Sequence, residues 1–579
     1  MRNHNAELPE KWSELKEAKV YEYGHLPMVA AYCRSLGLVE MVNHLVQSQM
    51  QLPPGIVVQA MVLDILSGRN PLYRVESFLN RQDTELLLGE PIDAHAFNDT
   101  NLARSLDAIF AAGTGRIITE LGRRAVVLFG LDTSVVSYDT TSTSVWGEYR
   151  ESGEGDQAGP LVTYGHSKDN QPQLKQFMTE LLCVERGVPI FGKTLDGNSS
   201  DKTSNNNMLT HISSLLAKHG LGLGAFIYVA DSAMVTEQNL KAVGNNRFIS
   251  RLPATYDACQ AAIDQAVLAQ QWQNLGSLSE LPAGKTRPSA EYKAFETQIM
   301  LYDVPYRAIV IHSSSHDKRR QKKLAKQIET SKTTISQKLK KVTQQYYCKA
   351  DAQAAAEQIE KYATRLHGVI PHITPVAVRK RGRPAKNKPA ATETRYLLSW
   401  DVVENTEGIA RERESAGCFV LLTNVPQSGP DALNSADVLR TYKGQYGVEN
   451  NFVFLKDPLV VNDLFLKTPS RIDALGMILV IALMVYRLME RSMRLHLQQN
   501  DLTLSGWDNK PTTRPTSFML AALFLGVQVM LLKQQRFFLS APDEKHMSFL
   551  DALGLDATVF LDPGGQCTPI IPLKSTSKG

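Results

Sequence analysis

Apolar residues recur three and four apart from residue 26 to about 125, in "PMVAAYCRSLGL", "PGIVVQAMVLDIL" and "NLARSLDAIF", with Gly, Pro and Asn-Asp between the runs. This period predicts a compact helical bundle. Beyond it the pattern shortens. "AVVLFGL", "TSVVSYDTTST", "GPLVTYGHS", "KQFMTELLCVE" and "VPIFGKTLDG" are β-rich runs at roughly ten-residue spacing, which predicts consecutive strands joined by hairpins. A helix at "MLTHISSLLAKHG" (208–220) leads into "AFIYVADSAM", an apolar strand ending in an acid, and after another helical stretch "NRFISRL" (246–252) predicts a further strand. Consecutive strands, a helix, an apolar strand and another helix give the α/β class, with a mixed sheet.

Residues 253 to 434 break the pattern, with strand candidates in "QIMLYDVPYRAIVIH", "RYLLSWDVVE" and "CFVLLTNV", one long polar helix expected from about 317 to 366, and a Pro-rich basic linker at 375–390. They are expected to form an α+β insertion. From 435 the chain reads as helical again. Its two apolar runs, 474–486 and 518–532, are shorter than the roughly 20 residues of a membrane helix, so both are expected to be buried core helices. The organisation expected is an N-terminal helical region over 1–128, a sheet-forming core over 129–252, the insertion over 253–434, the rest of the core with a helical cap over 435–545, and a tail over 546–579.

A formal net charge of +4 over 579 residues does not mark the whole chain as a polycation, so any charge signal must be local. The six cysteines are scattered without metal-binding spacing, and the N-terminus lacks the apolar core of an export signal. Both suggest a cytoplasmic protein without a membrane partner.

Local chemistry concentrates in "TYKGQYGVENNFVFLKDPL" (441–459). On one helix capped at Ser435, Tyr442, Gln445, Glu449 and Lys456 fall on one face, while Val448, Phe452 and Leu455 lie beside it and bury the helix against a sheet. Gly444 and Gly447 weaken the start of that helix. A carboxylate beside an amide, a phenol and an ammonium suits a hard cation next to phosphate. One carboxylate cannot hold such an ion alone. The ends of the β-runs supply two more, Asp139 in "SVVSYDTTSTS" and Asp231 in "FIYVADSAM". Taken singly, an aspartate at a strand end is also a common cap, and the stripe alone is also a solvated face.

These residues, in this order, resemble the DDE transposases of bacterial insertion sequences, in the branch with an insertion domain before the glutamate. "YDTTS" supplies Asp139, "VADSAM" supplies Asp231, and "YKGQYGVENNFVFLK" supplies Tyr442, Glu449 and Lys456 in a Tyr-x2-Arg-x3-Glu-x6-Lys signature; "YGHSKDNQP" and "DGNSSDKTS" also fit. The likeness spans about 55 to 540 and departs at Gln445, where the signature has Arg, so a bidentate phosphate contact is replaced by a neutral one. The resemblance implies an RNase H-like fold in which Asp139, Asp231 and Glu449 share two Mg²⁺ ions, with Mn²⁺ as a substitute. It further implies cleavage of terminal inverted repeats, transfer of their 3′-hydroxyls to target DNA, and a homodimer acting at the bacterial nucleoid. A catalytically silent DNA-binding derivative and an RNase H-like nuclease without strand transfer are the alternatives.

Other segments add DNA-binding candidates. Eleven Lys and Arg residues, Lys322 and Lys326 among them, face only Asp317 and Glu329 between 317 and 349, a stripe suited to DNA backbone or simply to solvent. Arg381 and Arg383 in "RKRGRPAKNK" resemble the core of an AT-hook, which enters an A·T-rich minor groove. His166 and Asp201 are expected to support the metal ligands from behind or to form turns. Trp272 and Trp400 are candidates for base stacking or for core packing.

Overall fold

The computed structural model describes residues 18–68, 74–147, 149, 159–185, 187–217, 226–278, 289–379, 392–457 and 466–573. The chain divides into two units, one formed by Met1–Ser250 with Thr441–Gly579 and the other by Arg251–Arg440.

In the first unit the three-and-four spacing folds as helices, Leu26–Leu36, Leu38–Leu45, Pro54–Leu66, Asp99–Ala112 and Thr114–Phe129. Pro54–Leu66 is buried along its whole length. With Asp99–Ala112 it packs on Pro469–Asn500, a helix of 32 residues that contains the apolar run 474–486. That helix is long and apolar enough to cross a membrane by length and composition, yet its most apolar window is 83% buried inside the fold.

The sheet of this unit is mixed. Val135–Val145, Lys175–Val184 and Val188–Leu195 pair antiparallel in sequence order, and Ile227–Ala230 followed by Arg247–Arg251 extend the other side of Val135–Val145 in parallel. The helices Asp201–Ala217 and Glu237–Val243 make the connections. Helix Thr114–Phe129 presses on Val188–Leu195 so closely that a Cβ at Gly122 would lie 2.0 Å from the Ile190 carbonyl oxygen. Only glycine allows that approach.

Several sequence expectations are corrected. The run 125–131 is the end of a helix rather than a strand: Leu121, Ala125 and Phe129 bury a helical stripe while Val127 stays 66% exposed. Segment 159–167 makes a single bridge, Thr163 to Gln176, because Gly159, Pro160 and Gly165 interrupt any ladder. The run 518–532 is not one buried helix. Helix Ser517–Leu523 stops before Gly526 at φ +87°, and Gln528–Leu532 is a strand between Lys19–Glu22 and Gln535–Phe538. Lys533 and Gln534, at φ 48° and 65°, make the two-residue hairpin turn.

The second unit holds four antiparallel strands in the order Cys418–Thr423, Val304–Ser313, Glu291–Leu301, Gln273–Ser277, with Asp257–Ala269 packed against them. The expected helix over 317–366 is two helices, Ser314–Leu339 and Lys349–Glu360, parted by a short strand at Gln345–Tyr346. Aromatic and β-branched residues in the break explain it, since Val342 and Tyr346 turn inward onto a core of Ile335, Leu339, Ala356, Ile359, Val369 and Leu398. The first part of the expected linker is strand as well: His367–Arg379 pairs along its length with Thr392–Glu404.

Candidate active site

The site grows from the middle of strand Val135–Val145. In the parallel ladder Val135 faces Ile227, Val136 faces Tyr228 and Ser137 faces Val229. The same register carried two residues further sets Asp139 beside Asp231. Neighbouring strands lie about 4.8 Å apart, and the Asp231 charge acts on the Asp139 carboxyl, so the two acids are near neighbours. Asp231 follows strand Ile227–Ala230 directly and caps the turn Ser232–Met234, its Oδ1 accepting the Ala233 N–H at 3.0 Å. Its carbonyl oxygen accepts the Ser250 hydroxyl at 2.7 Å, tying it to the next strand.

Electrostatics follows from that proximity. The Asp139 side chain is 19% exposed, and burial pushes its carboxyl up to about 7, with the charges of Asp231 and Asp201 pushing the same way. Lys168 and the Thr140 N–H, which donates to Asp139 Oδ1 at 2.7 Å, pull against them. Burial also raises the Asp231 carboxyl, helped by Asp201 and opposed by Lys168. Asp201 opens helix Asp201–Ala217 and accepts the Thr140 hydroxyl at 2.5 Å.

Lys168, not singled out in the sequence, reaches into this group. Its Nζ lies 3.1 Å from Asp201 Oδ1 and 3.9 Å from Asp139 Oδ1, and donates to Thr140 O at 2.6 Å and Thr140 Oγ1 at 2.9 Å. Its backbone N–H donates to Ser142 Oγ at 2.9 Å. The one available signal was its place in "YGHSKDNQP", between two polar runs and two residues after His166.

Glu449 stands on helix Tyr446–Leu455, which packs on strand Val135–Val145 and buries Val448, Phe452 and Leu455. Buried Asn451 anchors it, donating to the Gly187 carbonyl at 2.7 Å and accepting from Arg487 Nε at 2.7 Å. The Glu449 side chain is exposed, on one face with Tyr446 and Val453, which are 65% and 71% exposed. The expected stripe is therefore corrected. Ser435 begins a separate helix, Ser435–Lys443, and the chain tightens into three-residue bonds at Gly444 and Gln445 before the glutamate helix starts. That tightening rotates Gln445 inward to 8% exposure, leaves Tyr442 half-buried on the earlier helix, and puts Lys456 at the end of the glutamate helix, 2.6 Å from Asp169 Oδ1.

The structure thus gathers Asp139, Asp231 and Asp201 around Lys168 and sets Glu449 on a helix against the same strand. Among the described residues no three His, Cys, Asp or Glu side chains stand close enough to hold a metal ion. The chemistry of the donors nevertheless fits a hard, oxygen-seeking cation: Asp201 and Asp139 lie within 4 Å of one ammonium whose charge also acts on Asp231, and burial raises the carboxyls of Asp139 and Asp231. His166 is exposed, with its carbonyl oxygen accepting from Gln176 at 3.4 Å. Lys322 and Lys326 are exposed on helix Ser314–Leu339, whereas Arg381 and Arg383 lie outside the described residues. Trp272 makes edge-type contacts with Phe295 and His312, and Trp400 packs, partly buried, against the core that contains Val369 and Leu398.

Residues 18–123 match a family model described as a domain of unknown function (DUF4277). A search among curated proteins finds no match.

Proposed function

We propose that the chain is a DDE-type DNA transposase, cutting the ends of an element and joining their 3′-hydroxyls to target DNA. The observation that carries this reading is the placement of Asp139 on one strand and of Asp231 just past the end of the adjacent parallel strand, both carboxyls raised by burial and by neighbouring acids. Strand order supports an RNase H-like core, with three antiparallel strands followed by two parallel ones on the far side of the first. The insertion reading is supported by the sequence position of the second unit, which enters after Ser250 and returns at Thr441.

Asp139, Asp231 and Glu449 would hold two Mg²⁺ ions, or Mn²⁺ in their place, which when bound supply an activated nucleophile and charge neutralisation at the leaving oxygen. The protein's own contribution is positional. Strand Val135–Val145 carries Asp139 and the adjacent parallel strand ends just before Asp231, the Ala233 and Thr140 N–H groups orient their oxygens, and Asn451 seats the helix that carries Glu449. Exposed lysines on Ser314–Leu339 offer the DNA backbone a sequence-independent grip. A homodimer on paired ends fits a reaction that must join two ends in one event.

The test uses DNA carrying the gene with its flanking repeats, Mg²⁺ and the full chain. End cleavage should vanish in Asp139→Asn, Asp231→Asn and Glu449→Gln. Pre-cut ends with 3′-hydroxyls and a target plasmid should yield joined products. Unchanged cleavage in Asp139→Asn rejects the reading, and cleavage without joined products reduces it to a nuclease.

A further inference from the structure

We infer that Lys168 is a tethered counter-ion which shapes the acid cluster and is displaced from it by a divalent cation, so that this one side chain sets the protein's affinity for metal. The inference rests on the transposase reading, in which the carboxylates around Lys168 serve a metal.

The geometry is that of a shared ion. An ammonium carries three donors. Thr140 O at 2.6 Å, Thr140 Oγ1 at 2.9 Å and Asp201 Oδ1 at 3.1 Å take them, and Asp139 Oδ1 at 3.9 Å is left outside hydrogen-bond range. Lys168 is therefore committed to Asp201 and Thr140, while its charge still acts on Asp139 and Asp231. The edge formed by those two aspartates keeps its remaining oxygens for another cation.

The stem permits displacement and the backbone limits it. Lys168 N–H is held by Ser142 Oγ at 2.9 Å, on the same strand as Asp139, so the backbone of the residue is tied to that strand. Its flexible four-carbon side chain, 26% exposed, can swing the charge outward by several ångströms. A divalent ion held by Asp139 and Asp231 would repel the ammonium in partly buried space, where charge interactions are strong. Phosphate is the natural acceptor for the released charge. Lys168 is thus a positioning residue that acts through the carboxylates.

Mn²⁺ binding to the full chain without DNA, measured by calorimetry at pH 8.5, tests this directly. Removing the charge in Lys168→Gln should tighten Mn²⁺ binding roughly tenfold, because a like charge has been taken away. Lys168→Arg keeps the charge and should stay within about twofold of the unsubstituted protein. A residue with a merely structural role predicts the reverse, weaker binding with a lower melting temperature. Unchanged or weaker binding in a folded Lys168→Gln overturns the inference. Should that variant fail to fold, Lys168→Met gives the same reading. Asp139→Asn separates the two levels of the argument. If it loses Mn²⁺ binding, the metal reading stands and the lysine variants decide alone; if it binds Mn²⁺ as before, the metal reading falls and takes the inference with it.

Discussion

Lys456 at the end of the glutamate helix pairs with Asp169 at 2.6 Å, and the residue before Asp169 is the lysine that binds the acid cluster. Two consecutive side chains on one loop thereby link the aspartates to the helix of Glu449. The side chains of the pair are 22% and 36% exposed, so the link is worth at most about 1 kcal/mol. Asp169→Asn should shift the melting temperature by only a degree or two and free Lys456 for phosphate. Tighter binding to duplex DNA at low salt, fading at high salt, is the expected readout.

The raised Asp139 carboxyl makes stability depend on pH. In the unfolded chain it titrates near about 3.9, and in the fold near about 7, so between those values the folded state holds the extra proton. Stability is greatest below the lower value and falls as pH rises through the upper one, with Asp231 shifted in the same direction. Metal-free protein should melt lower at pH 8 than at pH 5. Asp139→Asn should remove much of that difference, a gain on the order of a few kcal/mol at pH 8. Melting curves in EDTA at the two pH values check this; a slope untouched by the substitution would contradict it.

Asn451 is fully buried and satisfies the Gly187 carbonyl and Arg487 Nε together. Asn451→Leu leaves a buried carbonyl and a guanidinium without that partner and should cost about 2–4 kcal/mol. Urea denaturation followed by circular dichroism measures the loss. A midpoint equal to that of the unsubstituted protein means the helix is seated by its apolar face alone.

Lys322 and Lys326 are exposed on a polar helix, so their replacement by glutamine should change stability by less than about 0.5 kcal/mol. If they contact phosphates, each loss lowers the slope of log affinity against log salt by about 0.9 and weakens all sequences alike. Equal slopes for Lys322→Gln and the unsubstituted protein would remove that residue from the DNA surface.

The mixed α/β sheet was legible because its strands alternate or run apolar over short lengths, as at "VSYDTT" and "IYVADS"; of the two acids expected at strand ends Asp231 closes its strand, whereas Asp139 lies inside Val135–Val145, which continues through the hydroxyl run that follows it. Features that depend on partners far along the chain were not. Nothing local in "YGHSKDNQP" tells that Lys168 meets Asp201, because the loop must first fold back against Thr140. Gln445 and Glu449 share a face only if the helix is regular, and a tightened turn at Gly444 breaks that regularity. The strand Gln528–Leu532 looked helical because its apolar run is continuous with that of Ser517–Leu523, and only Gly526 divides them. Lys19–Glu22 escaped notice because four residues of an edge strand carry no period of their own.

That short N-terminal strand pairs with Gln528–Leu532, residues the ribosome adds more than 500 positions later. At roughly 5–20 residues per second, Lys19–Glu22 waits about half a minute to two minutes for its mate. The inserted residues 251–440 emerge complete well before that moment and are free to fold first. A message broken before codon 528 therefore yields a chain in which Lys19–Glu22 has lost its mate and this three-stranded sheet does not form.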